Sequence, residues 1–210
     1  MLKLYDYTAA PSPRRTRMFL AEKKVPYECI QIDIQAGEQL SDAFKSINPR
    51  CTVPALVTRD GQTLCENVAI AHYIGELYPE PNMMGGSAIE RARVLEWNWR
   101  CEFEGLSAVA EILRNTSKGM KDRAMTGPRN IAQIPELAER GKERLAYFFE
   151  DLNTQLENND YVAGANYSLA DITATVTMDF SKWVKCYPDE TLTALHEWHG
   201  RMKSRPNYTA

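Results

Sequence analysis

A run of nine residues, Tyr78-Pro79-Glu80-Pro81-Asn82-Met83-Met84-Gly85-Gly86, holds two prolines and two glycines and interrupts any helix or strand that meets it. The chain reads differently on its two sides. Before the run, short strand and helix signals alternate. Leu2 to Tyr5 reads as a strand, and Pro13 to Lys24 has helical composition with Met18, Phe19 and Leu20 as bulk. Glu28 to Ile34 alternates as a strand does. Gln39 to Ile47 fits a short helix ended by Asn48-Pro49. Ala55 to Val57 and Gln62 to Cys65 flank Asp60-Gly61, a hairpin turn signal. Asn67 to Tyr78 reads as a helix stopped by Pro79. After the run no strand is expected, and bulky residues recur every three or four positions. One stripe is Ala92, Leu95, Trp99, Phe103, Leu106, Ala110 and Leu113; a second is Leu137, Gly141, Leu145, Phe148, Leu152 and Leu156. A third is Leu169, Ile172, Val176, Phe180 and Val184, and a fourth is Leu192, Leu195, Trp198 and Met202. The expected organisation is an α/β domain over residues 1–80 in the order βαβ–α–ββα, a linker over 81–86 and an all-α domain over 87–210.

The 210 residues are enough for a sizeable core in one domain or two modest ones. A net charge of −3 gives no reason to expect nucleic acid or an anionic membrane as partner. No apolar run reaches bilayer length. Met1 to Tyr7 reads as a strand and lacks the apolar segment of a signal peptide, so the expected location is cytoplasmic. The five cysteines are odd in number and form no CxxC pair, which argues against a disulfide framework, a zinc site or a dithiol motif. No metal and no permanently bound cofactor is expected. Cys51 alone lies near candidate chemistry, either as a thiol able to form mixed disulfides or as a buried structural residue.

Residues 48–67 carry the richest chemistry. X–Pro bonds are cis in only about 5–6% of folded cases, so local sequence alone makes Val53-Pro54 a trans strand opening. Glu66-Asn67 opens a helix. Asn67 fits an ordinary N-cap, and the same geometry suits a ligand, because free N–H groups at a helix start bind a carboxylate while Glu66 can pair with an ammonium. Upstream, Thr8-Ala9-Ala10-Pro11-Ser12-Pro13-Arg14-Arg15-Thr16-Arg17 leads from the first strand into the first helix. A helix start with nearby arginines can lower a thiol pKa from about 8.5 to roughly 3.5–7.5. Ser12 is there either a plain N-cap or a donor to such a sulfur, and Arg14 and Arg15 either add positive potential or form a solvated face. Late in the chain, Ser168 followed by Asp171 is an acidic variant of the capping box, with a structural role.

Together Asn48-Pro49, Val53-Pro54, Glu66-Asn67, the Arg15-Thr16-Arg17 helix and the Ser168–Asp171 box resemble the cytosolic glutathione transferase superfamily, in order and over almost the whole chain. The resemblance implies a thioredoxin-like domain followed by a helical domain, usually in a homodimer, with glutathione as co-substrate and a small hydrophobic electrophile as second substrate. It implies that Pro54 is cis and that Val53 meets the cysteinyl backbone. Thr52 stands where a polar or basic residue helps bind glutathione, Glu66 and Asn67 hold the γ-glutamyl end, and Gln39 reaches the glycyl carboxylate. Trp99, Phe103, Arg114 and Met120 are candidates for the electrophile pocket, although periodicity places Trp99 and Phe103 in a bundle core. The chain departs from the family pattern at Ala10, which occupies the usual catalytic Ser or Cys position. Ser12 is the nearest replacement, Tyr7 a second candidate and Thr8 a third. Asn67 stands where most relatives have Ser or Thr, and Cys51 where the loop usually has Gly. The leading expectation is a detoxifying glutathione transferase. The alternatives are a non-catalytic adaptor or ligand-binding protein, motivated by Ala10, and a glutathione-dependent peroxidase or isomerase.

Overall fold

Strict alternation in the first strand starts the sheet. In the computed structural model, which describes residues 1–210, β1 (Leu2–Asp6) buries Leu2, Leu4 and Asp6 and exposes Lys3. The elements α1 (Pro11–Glu22), β2 (Tyr27–Gln31), α2 (Asp42–Lys45), β3 (Ala55–Val57), β4 (Thr63–Cys65) and α3 (Asn67–Leu77) follow. The four strands lie in the order β2-β1-β3-β4. β1 pairs parallel with β2 and antiparallel with β3, which pairs antiparallel with β4. Leu4 sits opposite both Cys29 and Leu56. Met18, Phe19 and Leu20 of α1 and Ile70, Ala71 and Ile74 of α3 are buried with the inner face of the sheet. This is a thioredoxin-like arrangement.

Three expected boundaries move, each for a local reason. The first helix begins at Pro11 rather than Pro13, because a proline at the first helical position gives up only an N–H that would have had no partner. The second strand ends at Gln31 rather than Ile34. There Asp33 accepts from the Ala36 N–H at 2.9 Å, and the chain turns through Gly37 at φ 80°. The single helix expected over 39–47 is a 3-10 turn, Glu38–Leu40, followed by α2. Ser41 between them adopts extended backbone and caps α2 by accepting from the Phe44 N–H at 3.2 Å.

The remaining elements are helical. They are α4 (Ala88–Arg100), a six-residue π-helical segment Cys101–Leu106, α5 (Ser107–Thr116), α6 (Pro135–Leu156), α7 (Leu169–Ser181) and α8 (Thr193–Lys203). The chain divides into two units, one of Met1–Pro81 with Met125–Asn130 and Ala210, the other of Asn82–Ala124 with Ile131–Thr209. The expected linker region is not loose. Met83 is buried, and its carbonyl accepts from the Leu169 N–H at 3.1 Å.

The first stripe read from the sequence is not the buried face of α4. Leu95, Trp99 and Phe103 are 40%, 57% and 53% exposed. Trp99 and Phe103 are therefore not bundle core. Their rings stack on each other at 4.9 Å, with the Arg144 guanidinium 5.2 Å from Phe103. The buried face carries Val94, Trp97, Asn98, Cys101, Gly105, Ala108, Val109 and Ile112. It contains small and polar residues because its neighbours come close. Asn98 accepts a hydrogen bond from the Thr173 hydroxyl at 2.7 Å, and a Cβ on Gly105 would lie 2.7 Å from the Phe148 ring and 2.9 Å from Thr177. Close approach thus removes from the sequence the bulk that marks a buried face.

The Ser168–Asp171 pair is buried and sits at the start of α7. The carboxylate accepts from the Ser168 N–H at 2.9 Å and hydroxyl at 3.0 Å, from the Val162 N–H at 2.9 Å and from the Trp198 indole at 3.1 Å. One side chain therefore joins the loop before α7, the first turn of α7 and α8. Burial pushes its pKa up to about 6 against the pull of these donors.

Two consequences are measurable. Gly105→Ala should lower the urea unfolding free energy by about 1–3 kcal/mol, the usual cost of overpacking a core, since the buried Phe148 ring has nowhere to retreat. Asp171 binds its proton more tightly folded than unfolded, so between pH 6 and about 4 its contribution to stability grows as pH falls. The destabilisation by Asp171→Asn should therefore be about 1 kcal/mol larger at pH 5.0 than at pH 7.5.

Candidate functional site

The starts of α1 and α3 meet. Neither is capped by its own N-cap side chain: Ala10 precedes α1, and the Glu66 carboxylate makes no capping bond to α3. In the first turn of α1, Pro11 and Pro13 have no N–H, which leaves that of Ser12. Uncapped helix starts present N–H groups and positive potential to an anion.

One side chain ties the two starts together. Asn67 is 5% exposed, and it is the first residue of α3 rather than its cap. Its Oδ1 accepts from the Thr16 hydroxyl at 2.7 Å, and its Nδ2 donates to Ser12 Oγ at 2.9 Å. Ser12 Oγ accepts a second bond from the Arg15 guanidinium at 3.3 Å. Ser12 is accordingly not an N-cap; it lies in the first turn with its hydroxyl turned toward α3. In the sequence Thr16 stands only within the Arg15-Thr16-Arg17 motif, with no role assigned to it. A further signal is its place four positions after Ser12, on the helix face that continues into buried Phe19 and Leu20.

The loop before α1 is held from beneath. Asp6 is fully buried and pairs with Arg17 at 2.6 Å, while Arg17 also donates to the Thr8 carbonyl at 3.1 Å. Gln31 donates to Asp6 at 2.7 Å and accepts from the Thr8 N–H at 3.0 Å and hydroxyl at 2.9 Å. Thr8 is thereby committed to Gln31. Tyr7 lies just beyond β1, half-buried, and its phenol takes no part in the Ser12–Asn67 network.

Buried Asn48 builds the second wall. Its Nδ2 donates to the Thr52 carbonyl at 2.8 Å and hydroxyl at 3.1 Å, and its Oδ1 accepts from the Arg50 N–H at 3.0 Å. The loop delivers Thr52 and Val53, both half-buried, to a cis Val53–Pro54 bond, as the resemblance implies. No hydrogen bond within the loop or the sheet uses the Val53 N–H or C=O. Cys51 faces inward, 3% exposed and 3.7 Å from the Pro49 carbonyl, at φ 56° where the family pattern has glycine. Glu66 takes φ 71°, a strained conformation for a non-glycine residue. Its exposed carboxylate lies 3.9 Å from Arg50, a solvated contact of little energetic weight. Gln39 sits in the 3-10 turn with its side-chain oxygen buried and unpartnered.

The remaining predicted residues fall into two groups in the helical unit. Trp99 and Phe103 form the exposed stack. Arg114 donates to the Arg123 carbonyl at 2.9 Å, and the Met120 carbonyl accepts from the Arg123 N–H at 2.9 Å, so Arg114 and Met120 share one loop cluster. Burial and the neighbouring Arg123 charge lower the pKa of Arg114. No hydrogen bond or ring contact joins the two groups.

Two family profiles match the sequence: "Glutathione S-transferase, N-terminal domain" over residues 10–77 and "Glutathione S-transferase, C-terminal domain" over residues 113–206. Glutathione S-transferase 2 of Saccharomyces cerevisiae is 31% identical over 207 residues, covering 97% of this chain and 86% of its own length. FtsZ-localized protein A of Caulobacter vibrioides is 28% identical over 209 residues, covering 97% and 87%. The crystal structure of a glutathione S-transferase domain-containing protein from Marinobacter aquaeolei VT8 superposes with a TM-score of 0.91 at 30% identity, over 98% of this chain and 99% of that one.

Asn48→Ala should lower the urea unfolding free energy by about 2–3 kcal/mol, through loss of three loop hydrogen bonds at roughly 1 kcal/mol each.

Proposed function

Since this chain belongs to the cytosolic glutathione transferase superfamily, we propose that it conjugates the glutathione thiolate to small hydrophobic electrophiles. The observation that carries the reading is the junction of two uncapped helix starts beside the Val53–Pro54 loop. A γ-glutamyl group offers a carboxylate for the N–H groups opening α3 at Asn67 and an ammonium for exposed Glu66. The Val53 main chain suits the cysteinyl backbone in strand-like pairing, with Thr52 and Pro54 shaping the same loop. Gln39 is assigned to the glycyl carboxylate. The sulfur then meets the opening of α1.

Ser12 is the proposed thiolate donor. Both lone pairs of its oxygen are taken, by Asn67 and Arg15, so the bond left to it is donation of its own proton. A hydroxyl held in this way favours the anion over the thiol and lowers the sulfur pKa. The network makes Ser12 the better candidate than Tyr7. For the electrophile, the Trp99–Phe103 stack and the Arg114–Met120 cluster are separate candidates. Homodimerisation and a detoxifying role in the cytoplasm belong to the same reading. No helix is long and apolar enough to cross a membrane.

A second reading, a non-catalytic adaptor or ligand-binding protein, is favoured by Ala10 at the usual catalytic position and by similarity to a relative named for localisation with FtsZ. Initial rates with glutathione and a chlorinated nitroaromatic or an isothiocyanate separate the two. The transferase reading expects saturable rates above the spontaneous reaction. It also expects Ser12→Ala to reduce neutral-pH turnover at least tenfold, about 1.4 kcal/mol. Calorimetric binding of glutathione without turnover would favour ligand storage, and absence of binding at millimolar concentration would favour the adaptor.

A further inference from the structure

The family pattern places Ser or Thr at position 67 as a ligand contact. In this chain the Asn67 side chain turns away from that task and into the protein. Its oxygen is used by Thr16, its amide nitrogen donates to Ser12, and it is 5% exposed. We propose that Asn67 and Thr16 are positioning residues that orient the Ser12 hydroxyl toward the substrate sulfur, a role that rests on the glutathione reading above.

The argument follows from donor and acceptor counting. The Thr16 hydroxyl, 3% exposed, donates to Asn67 Oδ1 at 2.7 Å, which occupies the oxygen end of the amide. The Nδ2 end is left facing Ser12 at 2.9 Å. With the Arg15 guanidinium at 3.3 Å, the Ser12 oxygen receives two donors, one of them cationic. Donation into an oxygen makes its own O–H a stronger donor, and the cation adds to the effect. Ser12, Arg15 and Thr16 are three and four residues apart, so one turn of α1 presents all of them toward the start of α3. The carboxylate end of a ligand is left to the main-chain N–H groups of α3, not to the Asn67 side chain.

A purely structural brace between α1 and α3 would use the same bonds, so the test must read the sulfur. The intact protein is saturated with glutathione, and the bound thiol is titrated by its thiolate absorbance in the ultraviolet, alongside calorimetric affinity. Thr16→Val and Asn67→Ala should each raise the bound thiol pKa by about half a unit or more, while Thr16→Ser restores the native value. Ser12→Ala combined with Asn67→Ala should be no worse than Ser12→Ala alone, because both act through one hydroxyl. An unchanged thiol pKa in Thr16→Val, with reduced unfolding stability, would reduce the network to a brace and overturn the proposal. Asn67→Ala weakening affinity more than tenfold at unchanged thiol pKa would make Asn67 a ligand contact, overturning the proposal while leaving the glutathione reading intact. Absence of glutathione binding by the unaltered protein would overturn both. If Asn67→Ala does not fold, the near-isosteric Thr16→Val decides alone.

Discussion

The hydrogen-bond chain Thr16–Asn67–Ser12 is the constraint on which the candidate site depends. It links residues 51 and 55 positions apart in sequence, at the openings of two helices that both lack their own caps. An uncapped helix start is a cost in isolation, because its first N–H groups lack partners. Here the first N–H groups of α3 are joined by a single one from α1, that of Ser12 between Pro11 and Pro13, with the same sign of potential at both starts. Each buried bond contributes on the order of 1 kcal/mol to the fold. Its larger effect is geometric: it decides where the Ser12 oxygen points and which of its bonding directions remains open.

The same economy recurs through the molecule. Asn48, Asp6 and Asp171 are each almost fully buried, and each satisfies several partners at once. A buried polar group left unsatisfied costs about 1–3 kcal/mol, so these residues tolerate few replacements. Asn48 shapes the loop before Pro54, Asp6 anchors the loop before α1, and Asp171 gathers three segments of the helical unit. Loops that would otherwise be free are held in this way by single side chains. Unused backbone hydrogen-bonding groups at Val53 and strained backbone at Glu66 stand beside these held loops.

Much of the architecture could be read from residue order. The strand and helix sequence of the first unit, the Asp60-Gly61 hairpin, the purely helical second unit and the Ser168–Asp171 pair all follow from punctuation and periodicity. Edges were less legible. Ser41 divided one expected helix because capping its successor competed with continuing its predecessor. Trp99 and Phe103 fit a core by bulk and spacing, whereas the buried face of α4 and the π-helical segment is lined with Asn98, Cys101 and Gly105. Asn67 looked like a cap because asparagine caps helices, whereas Glu66 holds that position and Asn67 faces a different helix.

Sequence alone thus determined the order of elements and the change from a mixed sheet to helices along the chain, because these depend on local propensity and on chemistry that each residue carries with it. Tertiary structure alone decided which face of α4 is buried, that Ser12 accepts rather than caps, and that Thr16 bonds to Asn67. Those outcomes depend on what packs opposite. Thr173 opposite Asn98, Phe148 opposite Gly105 and Thr16 opposite Asn67 come from distant parts of the chain, and no local pattern states which distant residue will supply a hydrogen bond or demand space.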